Sequence, residues 1–385
     1  MAICERHYIA LMAASRHSCH FLMDLHLQEF KRTGGKDEWL KGLSYASVKV
    51  QNLDMLNAVL AHQPWSINVD HLTTLTKCCS PTNWCLSELV QASVILAHTH
   101  VLCSFVLGND IVYTNGQHTS SCEIIDDQND SKCEIELLLE CMDKLKKAKL
   151  SIDVKKPNEE EMEQSFLKVH NNCDSITAKT FETEETSLPE NKSENNCMKK
   201  SSIQNCYAPS SLYTFNSRFG YVNFAQRAHD GFARTHKIHE FSWEDQGYSC
   251  VDELYNEMAD ILDKKITLIQ NLTYSTMGTY NDVDTSKYRN AIWMYIQSLY
   301  GIRHDDYNYA EVNVMLDRKL KTFIKTACCH PHEMTDSLRQ SVMINFKSCE
   351  KVHVLLIVME ARLQAELIYF FRALVKLNNN SSTIA

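Results

Sequence analysis

The chain has 385 residues, 44% of them hydrophobic, and a formal net charge of −9. That length suits two domains of ordinary size with a substantial core, and the acidic balance argues against a general nucleic-acid role. Only 10 Gly and 6 Pro punctuate it, and apolar residues recur at helical spacing, so an all-α fold is expected.

Arg6 to Arg32 reads as one helix, or two in close succession, ended by Gly34-Gly35. Cys19, Leu22 and His26 share one of its faces. Cys19 lies beside Arg16, His17 and His20, which could lower its thiol pKa and make it a nucleophile. A small buried thiol is the plainer alternative. Helices are expected at Lys36–Gly42, Ser47–His62 and Ile67–Thr76, then along the apolar run from Trp84 to Leu107. Cys85 is a poor substitute for the Ser or Thr of a helix cap before Glu88. Cys78-Cys79 and Cys328-Cys329-His330-Pro331-His332 have the ligand types of a zinc site but lack a second spaced pair, so no metal is expected.

Asn109 to Ser131 reads as loop, and Lys132 to Leu150 as an amphipathic helix. A short helix follows at Glu159–His170. Asn171 to Ser211 is rich in Asn, Ser, Thr, Glu and Lys and reads as a disordered linker. The expected organisation is residues 1–150, a short helix and linker over 151–212, and a second domain over 213–385. In that last part helices are expected at Val251–Leu272, Lys287–Tyr300, Ala310–Thr326 and Asp336–Phe346. The final helix, Glu350 to Lys376, is nearly continuous in apolar character from Val352 to Met359, too short a run to span a bilayer. Such a helix must be surrounded by protein, yet it opens with Glu350 and carries His353 on the same face. Glu350 is therefore a candidate for lining a small-molecule pocket. Sixteen cysteines follow no repeated disulfide spacing. Met1 leads straight into a charged stretch rather than a secretory signal, so reduced thiols in the cytosol are expected.

RHYIALMAASRHSC, GG-x3-WL-x-GL and LSELVQA-x2-ILAH-x-H resemble the N-terminal domain of the sestrins. WEDQGYS, DVDTS-x2-R-x-AIW-x-YI, GIR-x-DDY-x-Y and EKVHV-x6-EAR-x-QAEL resemble their C-terminal domain. The resemblance covers nearly everything except the linker. It implies two all-α halves, each like the alkylhydroperoxidase AhpD fold. It implies a stress-induced intracellular regulator that binds L-leucine and, when leucine is scarce, holds the second GATOR subcomplex so that signalling by TOR complex 1 falls. It implies no cofactor, no nucleic acid and no direct membrane insertion. The family has further helices before the RHYI segment, so the N-terminal domain is expected to lack its first helices.

By motif position the resemblance implies that Glu350 meets the leucine ammonium and Arg289 its carboxylate, a role that suits the guanidinium fork. Thr273, Thr276 and Thr285 match threonines that latch over the ligand, and Tyr274, Phe346 and His353 match wall residues. The family's pocket tryptophan falls at Met343, so leucine binding is expected to be weaker or broader than with a rigid aromatic wall. Asp305 and Asp306 match an acidic pair needed for the GATOR contact, and Arg318, Lys321 and Lys325 a basic face beside it. The family's peroxidase-like Cys, Tyr and His fall at Cys19, Phe21 and His26. Phe21 lacks the phenol, and Leu22 stands where a CxxC enzyme has its second cysteine. With no local resolving thiol, efficient turnover as an alkyl hydroperoxide reductase is not expected. A leucine-insensitive scaffold is the remaining alternative.

Overall fold

A computed structural model of the chain describes residues 1–76, 82–114, 117–120, 134–150, 158–171, 209–229, 235–273 and 275–382. Most of the expected linker, Cys78-Cys79 and Tyr274 lie outside the described residues. The fold is mostly helical, with three two-stranded pieces.

The first helices are α1 (Ile3–Arg16) and α2 (His20–Arg32). Ser18, at φ 48°, breaks the chain between them, a conformation that β-carbon sterics deny to a continuing helix. Two 3₁₀ turns, Asp37–Lys41 and Leu43–Tyr45, replace the helix expected after Gly35. The next expected helix is split into α3 (Val48–Gln51) and α4 (Asp54–His62). Then come α5 (Val69–Thr76) and α6 (Leu86–Gly108). The Cys85 sulfur does accept from Glu88 N, at 3.5 Å. The segment expected to be loop after Asn109 contains a hairpin, β1 (Ile111–Thr114) with β2 (Gln117–Ser120). Helices α7 (Glu134–Leu150) and α8 (Glu159–Asn171) follow as expected.

The later part holds α9 (Phe224–His229), β3 (His236–Lys237), α10 (Tyr248–Asp252) and α11 (Asn256–Asn271). The one long helix expected to start at Val251 is thus interrupted at 253–255. A two-stranded hairpin, β4 (Thr276–Met277) and β5 (Tyr280–Asn281), leads into α12 (Ser286–Leu299). Then β6 (Ile302–Arg303) pairs in parallel with β3. The helix expected over Ala310–Thr326 is two, α13 (Ala310–Met315) and α14 (Arg318–Cys329). Asp317 starts the second by accepting from Leu320 N at 2.8 Å, the usual action of an N-cap aspartate. Helix α15 (Asp336–Gln340) is shorter than expected, and α16 (Ser348–Ser382) is the longest.

Helix α16 is the axis of the molecule. It packs against α5, α6, α11, α12 and α14, and every residue from Ile357 to Phe371 is buried. Each fully buried Leu, Ile or Phe contributes about 1.5–3 kcal/mol. Helix α6 is long and apolar enough to cross a bilayer, yet 67% of its most apolar window is buried against other helices. One continuous core runs from α1 to α16, and the two halves of the chain meet where α6 lies on α16.

Charged groups on α16 are buried with partners. Arg362 Nε donates to Glu366 Oε1 at 2.7 Å, and Nη1 to Ser104 Oγ at 2.9 Å. Its Nη2 donates to Ala61 O at 3.0 Å and to His17 Nε2 at 2.9 Å. His100 joins Glu366 at 3.0 Å and Asn57 at 2.9 Å. Burial and the Arg362 charge hold His17 neutral, which leaves a lone pair for Arg362.

Other buried or half-buried histidines share this behaviour. Burial lowers His26, His98, His236 and His304 to about 4, and His170 to about 3. The unfolded chain therefore binds more protons than the native one below the ordinary histidine value of 6.5, and stability falls with pH from there down to about 4. The urea midpoint is expected to be clearly lower at pH 5 than at pH 7. Equal midpoints would contradict the neutral state of these rings.

Candidate functional site

Glu350 occupies the first turn of α16 and is 1% exposed. Its carboxylate accepts from Lys347 N at 2.9 Å, which closes the helix start. It also accepts from Thr276 Oγ1 at 3.0 Å and from Gly278 N at 3.1 and 2.9 Å. The β4–β5 hairpin is therefore docked on this buried carboxylate. Tyr280 fastens the hairpin to α7 by donating to Glu136 Oε1 at 2.8 Å. A cation arriving at Glu350 has to share or displace donors from the hairpin, which couples any such ligand to hairpin position.

Arg289 lies on α12 and is 4% exposed. Its Nη1 donates to Gln270 O and its Nη2 to Thr273 Oγ1, both at 2.8 Å. Arg289 and Thr273 line a cavity of about 500 Å³ with Trp293, His304 and Ile357. That volume is in the range of small-molecule sites. Glu350, Thr276, Met343, Phe346 and His353 do not line it. The two charged ends expected for the site are thus held under the same 273–285 segment, but only the Arg289 end opens into this cavity. Burial and the Arg289 charge lower the pKa of His353 to about 4.

Thr285 is fully buried just before α12. Asp284 caps that helix, its Oδ1 accepting from Ser286 N at 3.0 Å. Phe346 is buried with its ring 5.9 Å from Tyr288. Met343 is buried and sits at φ 52°, a left-handed turn that stops the helix expected to reach Phe346. Sequence reasoning missed Gly278, Trp293, His304 and the Gln270 carbonyl. Gly278 alone carried a local signal, as a glycine in a short polar loop.

Cys19 is fully buried at the start of α2. The Cys103 thiol of α6 favours the thiolate of Cys19 and lowers its pKa against the opposing effect of burial, while burial raises that of Cys103. His26 instead pairs with His7, Nδ1 to Nδ1 at 3.3 Å. Among the described hydrogen bonds none joins Cys19 to His26. Phe21 is partly buried against the core. Cys103 stands 84 residues from Cys19 in the sequence, where no spacing rule could find it. Among the described residues no three His, Cys, Asp or Glu side chains converge as a metal centre.

Asp305 and Asp306 are exposed on the turn after β6. Asp305 accepts from Arg303 at 3.2 Å and is bonded to His239. These two partners outweigh its partial burial and hold its carboxyl below the ordinary value. Arg318 is exposed and Lys325 partly so. Lys321 departs from the expected basic face. It is 2% exposed, donates to Asn313 and lies 5.7 Å from the Tyr295 ring centre.

The family model described as PA26 p53-induced protein (sestrin) matches residues 1–378. Sestrin-3 of Mus musculus is 37% identical over 398 residues, covering 97% of this chain and 78% of the relative. Sestrin-1 of Xenopus laevis is 36% identical over 399 residues, covering 97% and 77%. Sestrin-2 of Homo sapiens is 36% identical over 389 residues, covering 96% and 76%.

Proposed function

The chain belongs to the sestrin family, and from that premise we propose that it is a cytoplasmic leucine sensor and negative regulator of TOR complex 1, built from two AhpD-like halves. When leucine is scarce it binds and inhibits the second GATOR subcomplex through the Asp305-Asp306 surface. The observation that carries this is the pair of buried opposite charges, Glu350 and Arg289, under one hairpin-bearing segment. A free amino acid at neutral pH needs both. The leucine ammonium takes over donors' places on Glu350, and its carboxylate draws Arg289 from the Gln270 carbonyl. The segment that roofs both then closes differently, and the ligand shifts partner affinity through that difference.

Calorimetric titration of leucine into the full chain, beside Glu350→Ala, tests this. Saturable binding should fall by at least about a hundredfold in the variant, as expected for an unpaired charge worth about 3 kcal/mol or more. Isoleucine and methionine run alongside should be discriminated only weakly, because Met343 is a flexible wall. Pull-down of the subcomplex should weaken on leucine addition. A folded chain that does not bind leucine leaves the scaffold role.

The Cys19–Cys103 pair favours a second activity. A Cys19 thiolate attacking the terminal oxygen of an alkyl hydroperoxide gives a sulfenic acid and, with one proton, an alcohol. The Cys103 thiol then attacks the sulfenic sulfur, forming a disulfide and releasing water. An external dithiol has to reduce that disulfide for each turnover. Cys19→Ser should abolish peroxide-dependent dithiol consumption, and Cys103→Ser should leave a trapped sulfenic acid. Turnover that survives Cys19→Ser would remove this activity from consideration.

A further inference from the structure

A second cavity, of about 390 Å³, lies where the two halves of the chain meet. It shares no lining residue with the Arg289 cavity. Arg16 enters it from the end of α1, His62 from the end of α4, Arg218 from the segment before α9, and His330 and His332 from the turn after α14. Its chemistry is basic and rich in hydrogen-bond donors.

His62 is 5% exposed, and its Nδ1 has no hydrogen-bond partner among the described residues. Arg16 is 8% exposed, and its Nε likewise has none. Buried polar atoms left this way cost free energy, and both residues line the cavity. We propose that this cavity binds a phosphate group, either free phosphate or the phosphate of a small monoester.

Two guanidinium groups, Arg362 and Arg16, lie near His62. After burial, Arg362 is the largest of the charges that disfavour a proton on His62. An anion reverses that field and is stabilised by it. The exposed guanidinium of Arg218 supplies a fork suited to phosphate oxygens. Two hydroxyls sit on the same wall, Ser18 donating to Ser210 at 3.1 Å. Donors arriving from four separate segments suit a tetrahedral oxyanion, which accepts on all sides, better than a planar carboxylate. The volume leaves room for an organic group beside the phosphate.

Two carboxylates oppose the site. Asp54 already pairs with Arg16 at 2.9 Å. Glu333 lies 3.9 Å from His330 Nδ1 and 3.8 Å from His332 Nε2. Glu333 occupies the imidazoles in the manner of a competing anion, so a phosphate has to displace it. Its removal should therefore strengthen binding.

The test is titration of the full chain with inorganic phosphate, and separately with glucose 6-phosphate, against potassium chloride at matched ionic strength. Binding should be saturable, weaken by about tenfold or more in the Arg218→Ala, His332→Ala double variant, as for a lost charge-assisted bond, and tighten in Glu333→Gln. All three positions are exposed, so these variants keep the core intact. Tighter binding of the sugar phosphate assigns a monoester, and binding of inorganic phosphate alone assigns the free ion. Phosphate that does no more than chloride, or a double variant with undiminished affinity, overturns the site. Neither result depends on leucine.

Discussion

Arg362→Met should destabilise the protein by about 3–5 kcal/mol, because it leaves a buried charge without its partner. The side chain is fully buried and makes bonds to Glu366, Ser104, Ala61 and His17. Methionine fills much of the volume, so the loss is electrostatic more than steric. Glu366 would keep only His100, and the carbonyl of Ala61 would lose its donor. Those partners come from α1, α4 and α6 as well as α16, so the cost falls on the junction between the halves. Arg362→Met combined with Glu366→Met should be less harmful than the single change, since the stranded carboxylate is removed too. Urea unfolding of both variants measures this. A single variant within about 1 kcal/mol of the parent would show that the network is not a determinant of stability.

Gly278→Ala is the second large effect. Gly278 has a φ of +59°, and a β-carbon there would meet Ile135 Cδ1 at 2.3 Å and Asn345 O at 2.6 Å. The left-handed backbone adds strain to any L-residue. The isoleucine is 1% exposed and the oxygen is backbone, so neither can yield without moving α7 or the turn before α16. Strain and overpacking together should cost about 2–4 kcal/mol. The hairpin would also lose its close approach to Glu350, so leucine affinity should fall with stability. Thermal unfolding and leucine titration of the same preparation separate the two. Unchanged stability with full leucine affinity would mean that the hairpin is free to dock elsewhere, against the tight fit seen here.

Much of the fold was legible because helical periodicity is a local property. Helices α6, α7, α8, α12 and α16 lie close to where the apolar pattern puts them. The breaks were less legible. Ser18, Asp317 and Met343 stop helices that the pattern would continue, and two of these sit at positive φ held by surrounding packing rather than by glycine. The hairpin at 111–120 did carry a local signal, Asn115-Gly116 between two four-residue runs, which the loop expectation passed over.

For the candidate site, a carboxylate placed just before a long apolar run singled out Glu350 in the sequence, whereas Arg289 was named only through the family motif. Composition and periodicity by themselves determined a mostly helical protein organised around its last helix. Only the tertiary structure decided what those charges touch: Gly278 and Thr276 on Glu350, Cys103 on Cys19, and four elements around Arg362. It also buried Lys321, which the family resemblance had grouped with Arg318 and Lys325. The physical reason is range. Periodicity and propensity act within a few residues, whereas the partner of a buried polar group is set by which distant segments share the same desolvated space.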